Sequence, residues 1–179
     1  NLFDNINFKI SGFKDLIRVE DGEDLMNLLN DSYNSFGIDE TAVIVRSNKR
    51  ANIYNKNIRE RILMNENIIT VGDLLMVVKN NYHWLNNKRD LGFIANGDII
   101  KIEEIFSIKK LYGYRFAEVK ITMVDYPKIK SFETVLILDT LDINTSSLEY
   151  SETTNLYQEI LKDYMDIKTK YKRHLSVKK

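Results

Sequence analysis

Apolar positions along this chain follow two different periods, and the change between them divides it. Leu25, Leu28, Leu29, Tyr33 and Phe36 recur at steps of three and four after Asp21-Gly22. That spacing predicts an amphipathic helix closed near Gly37. Residues 1 to about 20 mix apolar and polar positions (Phe8, Ile10, then Leu16, Ile17 and Val19), which reads as a short strand or an irregular lead-in. Ala42-Val43-Ile44-Val45 is a continuous apolar run, the pattern of a strand buried on both faces of a parallel sheet. Ser47-Asn48 then supplies a cap, and Ala51, Tyr54, Ile58 and Ile62 trace a second helical stripe. Leu74 to Val78 is a second buried run. Strand, helix and strand, with about 25 residues between the strands, predict a βαβ unit.

The texture changes after Tyr82. Asn96-Gly97 is a tight-turn signal, followed by apolar-rich runs at Ile99 to Ile102, Phe116 to Val124 and Phe132 to Leu138. Short strands at that spacing predict a small antiparallel barrel or sandwich, with Pro127 between two strands, where its missing N–H does little damage. Ser151 is placed to cap a last helix, whose stripe is Leu156, Ile160, Tyr164, Ile167 and Tyr171. The basic end from Lys170 to Lys179 suits a helix C-terminus.

Composition narrows the class. The chain has 179 residues, 44% of them hydrophobic and 29% charged, with one proline, which describes a globular protein with a real core. Its 26 basic and 26 acidic residues cancel, so no global field attracts nucleic acid, and any such binding rests on a local patch. The chain contains no cysteine, which excludes disulfides and thiolate chemistry and fits a reducing, cytoplasmic setting. No apolar run approaches the ~20 residues of a membrane span, and Asn1-Leu2-Phe3-Asp4 does not start a signal peptide. The chain begins without methionine, which reads as a piece of a longer protein.

Three places carry candidate chemistry. Arg46-Ser47-Asn48-Lys49-Arg50 lies where a predicted strand gives way to a helix, a position suited to a nucleotide or DNA phosphate. The plainer reading is an ordinary capped helix with solvated cations. Lys79-Asn80-Asn81-Tyr82-His83-Trp84 combines a cation, amides and stackable rings, the content of a single-strand contact. Against it, Trp84 and Tyr82 could simply pack on a sheet with their polar tips satisfied. Lys109, Lys110 and Arg115, with Tyr112 and Tyr114, form an aromatic and basic hairpin that could touch a phosphate backbone or lie solvated. His83 has no neighbour at ligand spacing, so a metal is not expected, and His174 sits in a lysine-rich tail. Glu103-Glu104, Asp139 and Asp142 show no paired-carboxylate spacing.

Two phrases point further: Gly72-Asp73-Leu74-Leu75-Met76-Val77-Val78-Lys79-Asn80-Asn81-Tyr82 and Gly92-Phe93-Ile94-Ala95-Asn96-Gly97-Asp98-Ile99-Ile100. Together with Val43-Ile44-Val45-Arg46-Ser47-Asn48-Lys49-Arg50-Ala51-Asn52-Ile53-Tyr54-Asn55, they resemble the late motor domain of RecD-like superfamily 1 DNA helicases, the exodeoxyribonuclease V α-subunit type. The resemblance is densest over 41–63, 72–100 and 112–141. It implies an α/β fold: a partial RecA-like domain 2A (a P-loop NTPase-type fold) over 1–82 with its lead-in, an inserted Src-homology-3-like antiparallel β-barrel, domain 2B, over 83–140, and a return helix over 141–179. It implies an ATP-dependent DNA helicase as the parent, with this piece guiding single-stranded DNA and completing part of the second motor domain. Arg46, Ser47 and Asn48 match an accessory helicase motif near the DNA path and the ATP cleft. Asn80, Asn81, Tyr82, Lys109 and Lys110 complete the expected nucleic-acid contacts.

No Gly-x-x-x-x-Gly-Lys-Ser/Thr phosphate loop occurs, and no His-Lys-x-Gln-Gly phrase. ATP and magnesium are therefore expected in the parent and not in this piece, which is expected to be inactive alone and to bind single-stranded DNA weakly. Its expected partners are that DNA and the first motor domain of the same parent, with no membrane. The competing reading is a protein–protein interaction module with no DNA role, favoured by the neutral net charge and the aromatic hairpin around Tyr112 and Tyr114. An independent enzyme is disfavoured by the missing motifs.

Overall fold

A computed structural model describes residues 12–82, 92–143, 145 and 147–167 of the chain. The chain divides into two compact units, Asn1–Ile44 and Val45–Lys179. The described part of the first unit holds helix α1, Gly22–Phe36. Its start matches the sequence signals: the Asp21 carboxylate accepts from the Glu23 and Asp24 N–H groups at 2.9 and 2.8 Å, satisfying donors that have no partner inside the helix. Its end is Gly37, whose φ of 84° closes the last turn through an N–H bond to the Tyr33 carbonyl at 3.0 Å. Leu25, Leu28, Leu29 and Tyr33 are half-buried as the stripe requires, whereas Phe36 is exposed.

The second unit starts with helix α2, Asn48–Asn57, which runs into a π-helical turn over Ile58–Ile62. Then come strands β1 (Leu74–Met76), β2 (Ile99–Leu111), β3 (Tyr114–Met123) and β4 (Phe132–Ile137), a 3-10 turn over Leu138–Leu141, and helix α3, Tyr150–Lys162. The four strands form one curled antiparallel sheet in the order β1-β2-β3-β4, making the fold a mixed α/β one with a half-barrel. Two register shifts in the β2/β3 ladder, at Ile102/Glu104 and Ile105/Ser107, are β-bulges that bend the strands and drive the curl. Ile100, Ile102, Ala117, Val119, Ile121, Met123 and Phe132 fill the concave side, with Ile69, Ile94, Ile129 and Leu138 closing it. The sheet curls enough that β1 and β4, its two edges, both line an apolar cavity of about 320 Å³ covered by Leu148 and Leu156.

Several expectations change here. The run from Ala42 to Val45 forms no strand among the described residues, and Ile44 is 95% exposed. Four consecutive apolar residues read alike for a doubly buried strand and for any extended segment, so the run alone could not decide. The Leu74 to Val78 run is a three-residue edge strand, and it pairs antiparallel to β2. Leu75 and Val77 pack on the core, while Leu74 and Met76 face outward. No parallel βαβ pairing occurs among the described residues, and Leu74–Met76 is the first strand of the antiparallel sheet. The last helix is capped by Glu149, not Ser151: the Glu149 and Glu152 side chains bond each other's backbone N–H groups in a capping box. Leu156 of the predicted stripe is buried, but α3 ends at Lys162, before Tyr164 and Ile167. His83, Trp84, Tyr171, His174 and the basic end from Lys170 lie outside the described residues.

Candidate nucleic-acid interface

The two Gly-Asp phrases build the same turn twice. In Thr70-Val71-Gly72-Asp73, the Asp73 N–H donates to the Thr70 carbonyl at 3.1 Å and the Thr70 N–H donates to the Asp73 carboxylate at 2.7 Å. In Ala95-Asn96-Gly97-Asp98, the Asp98 N–H donates to the Ala95 carbonyl at 3.2 Å and the Ala95 N–H donates to the Asp98 carboxylate at 2.7 Å. Glycine holds the third place in both, with φ of 94° at Gly72 and 96° at Gly97. That conformation is open to glycine at little energy and to a β-branched residue almost never. A Cβ at either position would meet nothing within 4 Å, so the requirement is conformational and not steric. Arg59, from the π-helical turn, braces the first turn through bonds to the Asn67 carbonyl at 2.7 Å and the Asp73 carboxylate at 2.9 Å.

Each turn delivers its aspartate to the start of a strand, and the strands then pair. Leu74, Leu75 and Met76 face Lys101, Ile100 and Ile99. The Gly72 N–H donates to the Ile102 carbonyl at 2.8 Å at one end of this ribbon, and the Val77 N–H donates to the Asp98 carbonyl at 2.9 Å at the other. Past the second turn the pairing resumes in the same register, with Asn81 and Ile94 exchanging both backbone bonds at 2.8 Å. Tyr82 and Phe93 therefore stand directly opposite, their ring centroids 5.1 Å apart and tilted by 32°. Asn80 ties the end together: its Oδ1 accepts from the Asn96 N–H at 2.8 Å and its Nδ2 donates to the Tyr82 hydroxyl at 3.0 Å. Tyr82 is 69% exposed and Phe93 39% exposed.

The other expected contacts are arranged differently. Ser47 is the cap of α2, its hydroxyl accepting from the Arg50 N–H at 3.3 Å, and Arg46, Asn48, Lys49 and Arg50 are exposed around it. Lys109 is held 3.1 Å from Glu118, whose carboxyl the Ser107 hydroxyl and the Lys109 ammonium lower below its ordinary value. Lys110 is exposed. Arg115 is engaged with Asp139 at 2.9 Å and Asp142 at 3.3 Å. Burial opposes ionisation of Asp139, but the Arg115 backbone N–H and guanidinium outweigh it and hold the carboxyl below its usual range. At the hairpin tip the Tyr112 hydroxyl bonds the Asp163 carboxylate at the end of α3, and this bond first, with burial and the Asp163 charge behind it, pushes the phenol up to about 12.

The structure thus gathers Asn80, Asn81 and Tyr82 with two residues that reading by composition passed over as contacts, Phe93 and the backbone of Asn96. Once Ala95–Asp98 is recognised as a turn leading into β2, the register facing Phe93 to Tyr82 follows from it. Among the described residues no cluster of three or more His, Cys, Asp or Glu could hold a metal ion, and no helix is long and apolar enough to cross a membrane. The apolar cavity offers packing space in place of a reactive constellation, since the Thr140 hydroxyl beside it already donates to the Ile137 carbonyl at 2.6 Å. A comparison with protein-family models finds no matching family, and a comparison with curated proteins finds no matching relative.

Proposed function

We propose that this chain is a piece of a RecD-like, ATP-dependent DNA helicase: part of the second RecA-like motor domain carrying a Src-homology-3-like barrel that guides single-stranded DNA. One observation carries this reading. The two phrases behind the resemblance, 72–82 and 92–100, are not separate decorations but the two strands of one ribbon, built on duplicated turns and sharing one register. A signature that folds into a single surface feature is what a shared function would require of it. The feature ends in amides and exposed rings, the chemistry of sequence-independent contact with unpaired bases.

In this reading the barrel side steadies the strand while motor domains open and close elsewhere in the parent. ATP and magnesium belong to that remainder, because this chain has no phosphate loop, and no hydrolytic step runs through its residues. The exposed Arg46 and the α2 N-terminus supply a second contact of the phosphate kind. The test is fluorescence anisotropy of the chain with a labelled dT oligonucleotide at low salt. Binding that weakens as salt rises is expected; no binding to the oligonucleotide would sink the proposal. Purified chain should also show no ATP turnover.

The interaction-module alternative has its own observation. Across the outer face of the sheet, Glu104, Lys120 and Glu133 are cross-strand neighbours, and Lys109 pairs with Glu118. That face has no excess of cations to offer a phosphate backbone. Retention of a protein partner together with no DNA binding would favour this alternative.

A further inference from the structure

Tyrosine at a protein surface ordinarily buries its ring and leaves its hydroxyl in water, because the ring is the apolar part. Tyr82 is arranged the other way round. Its hydroxyl is occupied by the Asn80 Nδ2 at 3.0 Å, while 69% of the residue stays exposed. The ring is not free to swing: one side rests on Phe93 at 5.1 Å, and Asn80, which holds the hydroxyl, is itself fixed by the Asn96 N–H at 2.8 Å. The Asn96 N–H is available for this because the Gly97 turn presents it at the ribbon end. A flat apolar surface with its torsions already fixed loses little entropy when something flat lies on it.

We infer that the Tyr82–Phe93 pair is a seat for one unpaired nucleobase, and that Asn80 is its positioning residue, holding the Tyr82 ring in the plane the base stacks on. This rests on the single-strand reading above and adds to it the kind of contact: a base face on rings, not a phosphate on a cation. The occupant is a nucleobase and not an apolar side chain because the ring is bordered by the Asn80 amide, which after its bonds to the Tyr82 hydroxyl and the Asn96 N–H keeps a second Nδ2 hydrogen and a second Oδ1 lone pair that a base edge can use and an aliphatic chain cannot. No base-specific pairing is built in, so the seat takes any base.

The experiment compares two labelled strands of equal length and charge, one all dT and one with a run of abasic residues replacing the internal thymidines. Both present the same phosphates, so their ratio of affinities isolates stacking. The 179-residue chain should bind the dT strand roughly five- to tenfold more tightly than the abasic strand. Tyr82→Ala should bring the ratio close to one, whereas Tyr82→Phe, which keeps a stackable ring but gives up the bond to Asn80, should keep part of it, about as much as Asn80→Ala, and guards against a folding artefact. Asn80→Ala should lower the ratio, and Asn80→Asp, whose two oxygens can accept from the Asn96 N–H and from the Tyr82 hydroxyl, should restore it while weakening both strands alike. Equal binding of the two strands by the unmodified chain, or a ratio unmoved by Tyr82→Ala, overturns the seat and leaves the helicase reading standing. A ratio unmoved by Asn80→Ala overturns the positioning role. Binding of neither strand overturns the helicase reading, and the seat with it.

Discussion

The ribbon end around Tyr82 and the hairpin end around Tyr112 have nearly the same composition, rings among lysines and hydrogen-bonding side chains, yet their groups are committed in opposite ways. At the ribbon end Asn80 is bonded to the Tyr82 hydroxyl and the Asn96 N–H, and the Tyr82 ring, resting on Phe93 on one side, stays exposed. At the hairpin end Lys109 is paired with Glu118, Arg115 with Asp139 and Asp142, and the Tyr112 hydroxyl with Asp163, while Lys110 is exposed. What a surface residue can bind depends on which of its groups the fold has already used. By that measure the ribbon end keeps the exposed ring that the proposed function needs, while the hairpin is fastened to α3 through Tyr112 and Asp163.

The comparison breaks most completely where the two ends share a support. Ile102 is fully buried on β2, between the ribbon and the hairpin. Ile102→Ala should lower unfolding free energy by about 2–5 kcal/mol, seen as a lower denaturant midpoint, and should weaken both ends together. Loss at only one end would mean the sheet does not couple them. The next largest effect is confined to the ribbon. Gly97→Val forces a β-branched residue to a φ of 96° and should cost about 1–3 kcal/mol. Amide exchange should then speed up at Asn81 and Ile94 but not at Lys109 to Phe116.

Much of this architecture was legible in the chain, and the failures share a cause. The α1 helix, the Ser47 cap, the Asn96-Gly97 turn and strands β2 to β4 follow from local signals: period, a capping oxygen, a glycine needing positive φ. What was missed depends on a partner. Ala42–Val45 and Leu74–Val78 look alike as apolar runs, but among the described residues only the second finds a strand to pair with, and it pairs antiparallel at an edge. At the ribbon end Asn80 and Tyr82 could be named as candidates from residue type, whereas Phe93 needed the register. At the hairpin, nothing local in Lys109 or Arg115 announces Glu118 across the ladder or Asp139 beyond the next strand.

The hairpin's fastening is sharpened by charge. Asp139 is ionised more readily in the folded chain than in the unfolded one, so its contribution is present above the ordinary carboxylate range and is lost as pH falls through its lowered folded value. Asp139→Asn should therefore destabilise by about 1–2 kcal/mol at neutral pH, and the gap to the parent should close on acidification in paired melting curves. A gap that widens in acid would reverse the assignment. Lys109→Ala removes an exposed pair and should leave the denaturant midpoint nearly unchanged. It should also leave the preference for dT over abasic DNA untouched, which separates the two ends directly.

The smallest net change is expected at Tyr112, where two effects oppose. Its φ of 52° is left-handed, unusual for an aromatic residue, and is held by the hairpin turn it shares with Gly113 at 84°. Asparagine adopts that conformation more readily, but it gives up the bond from the phenol to Asp163. Tyr112→Asn should thus be nearly neutral at pH 7, whereas Tyr112→Phe keeps the backbone strain and loses the bond, so it should be the more destabilising of the two. Alkali exposes the same bond by a different route. The phenol is raised from 10.0 to about 12 in the folded chain, so the neutral form is favoured by folding. Its contribution is fully present below about 10 and is lost as pH rises toward about 12. A spectrophotometric titration should show one tyrosine ionising late in the parent and missing from Tyr112→Phe. If the variant retains the late step, the hairpin tip is not fastened to α3 through the Tyr112 hydroxyl.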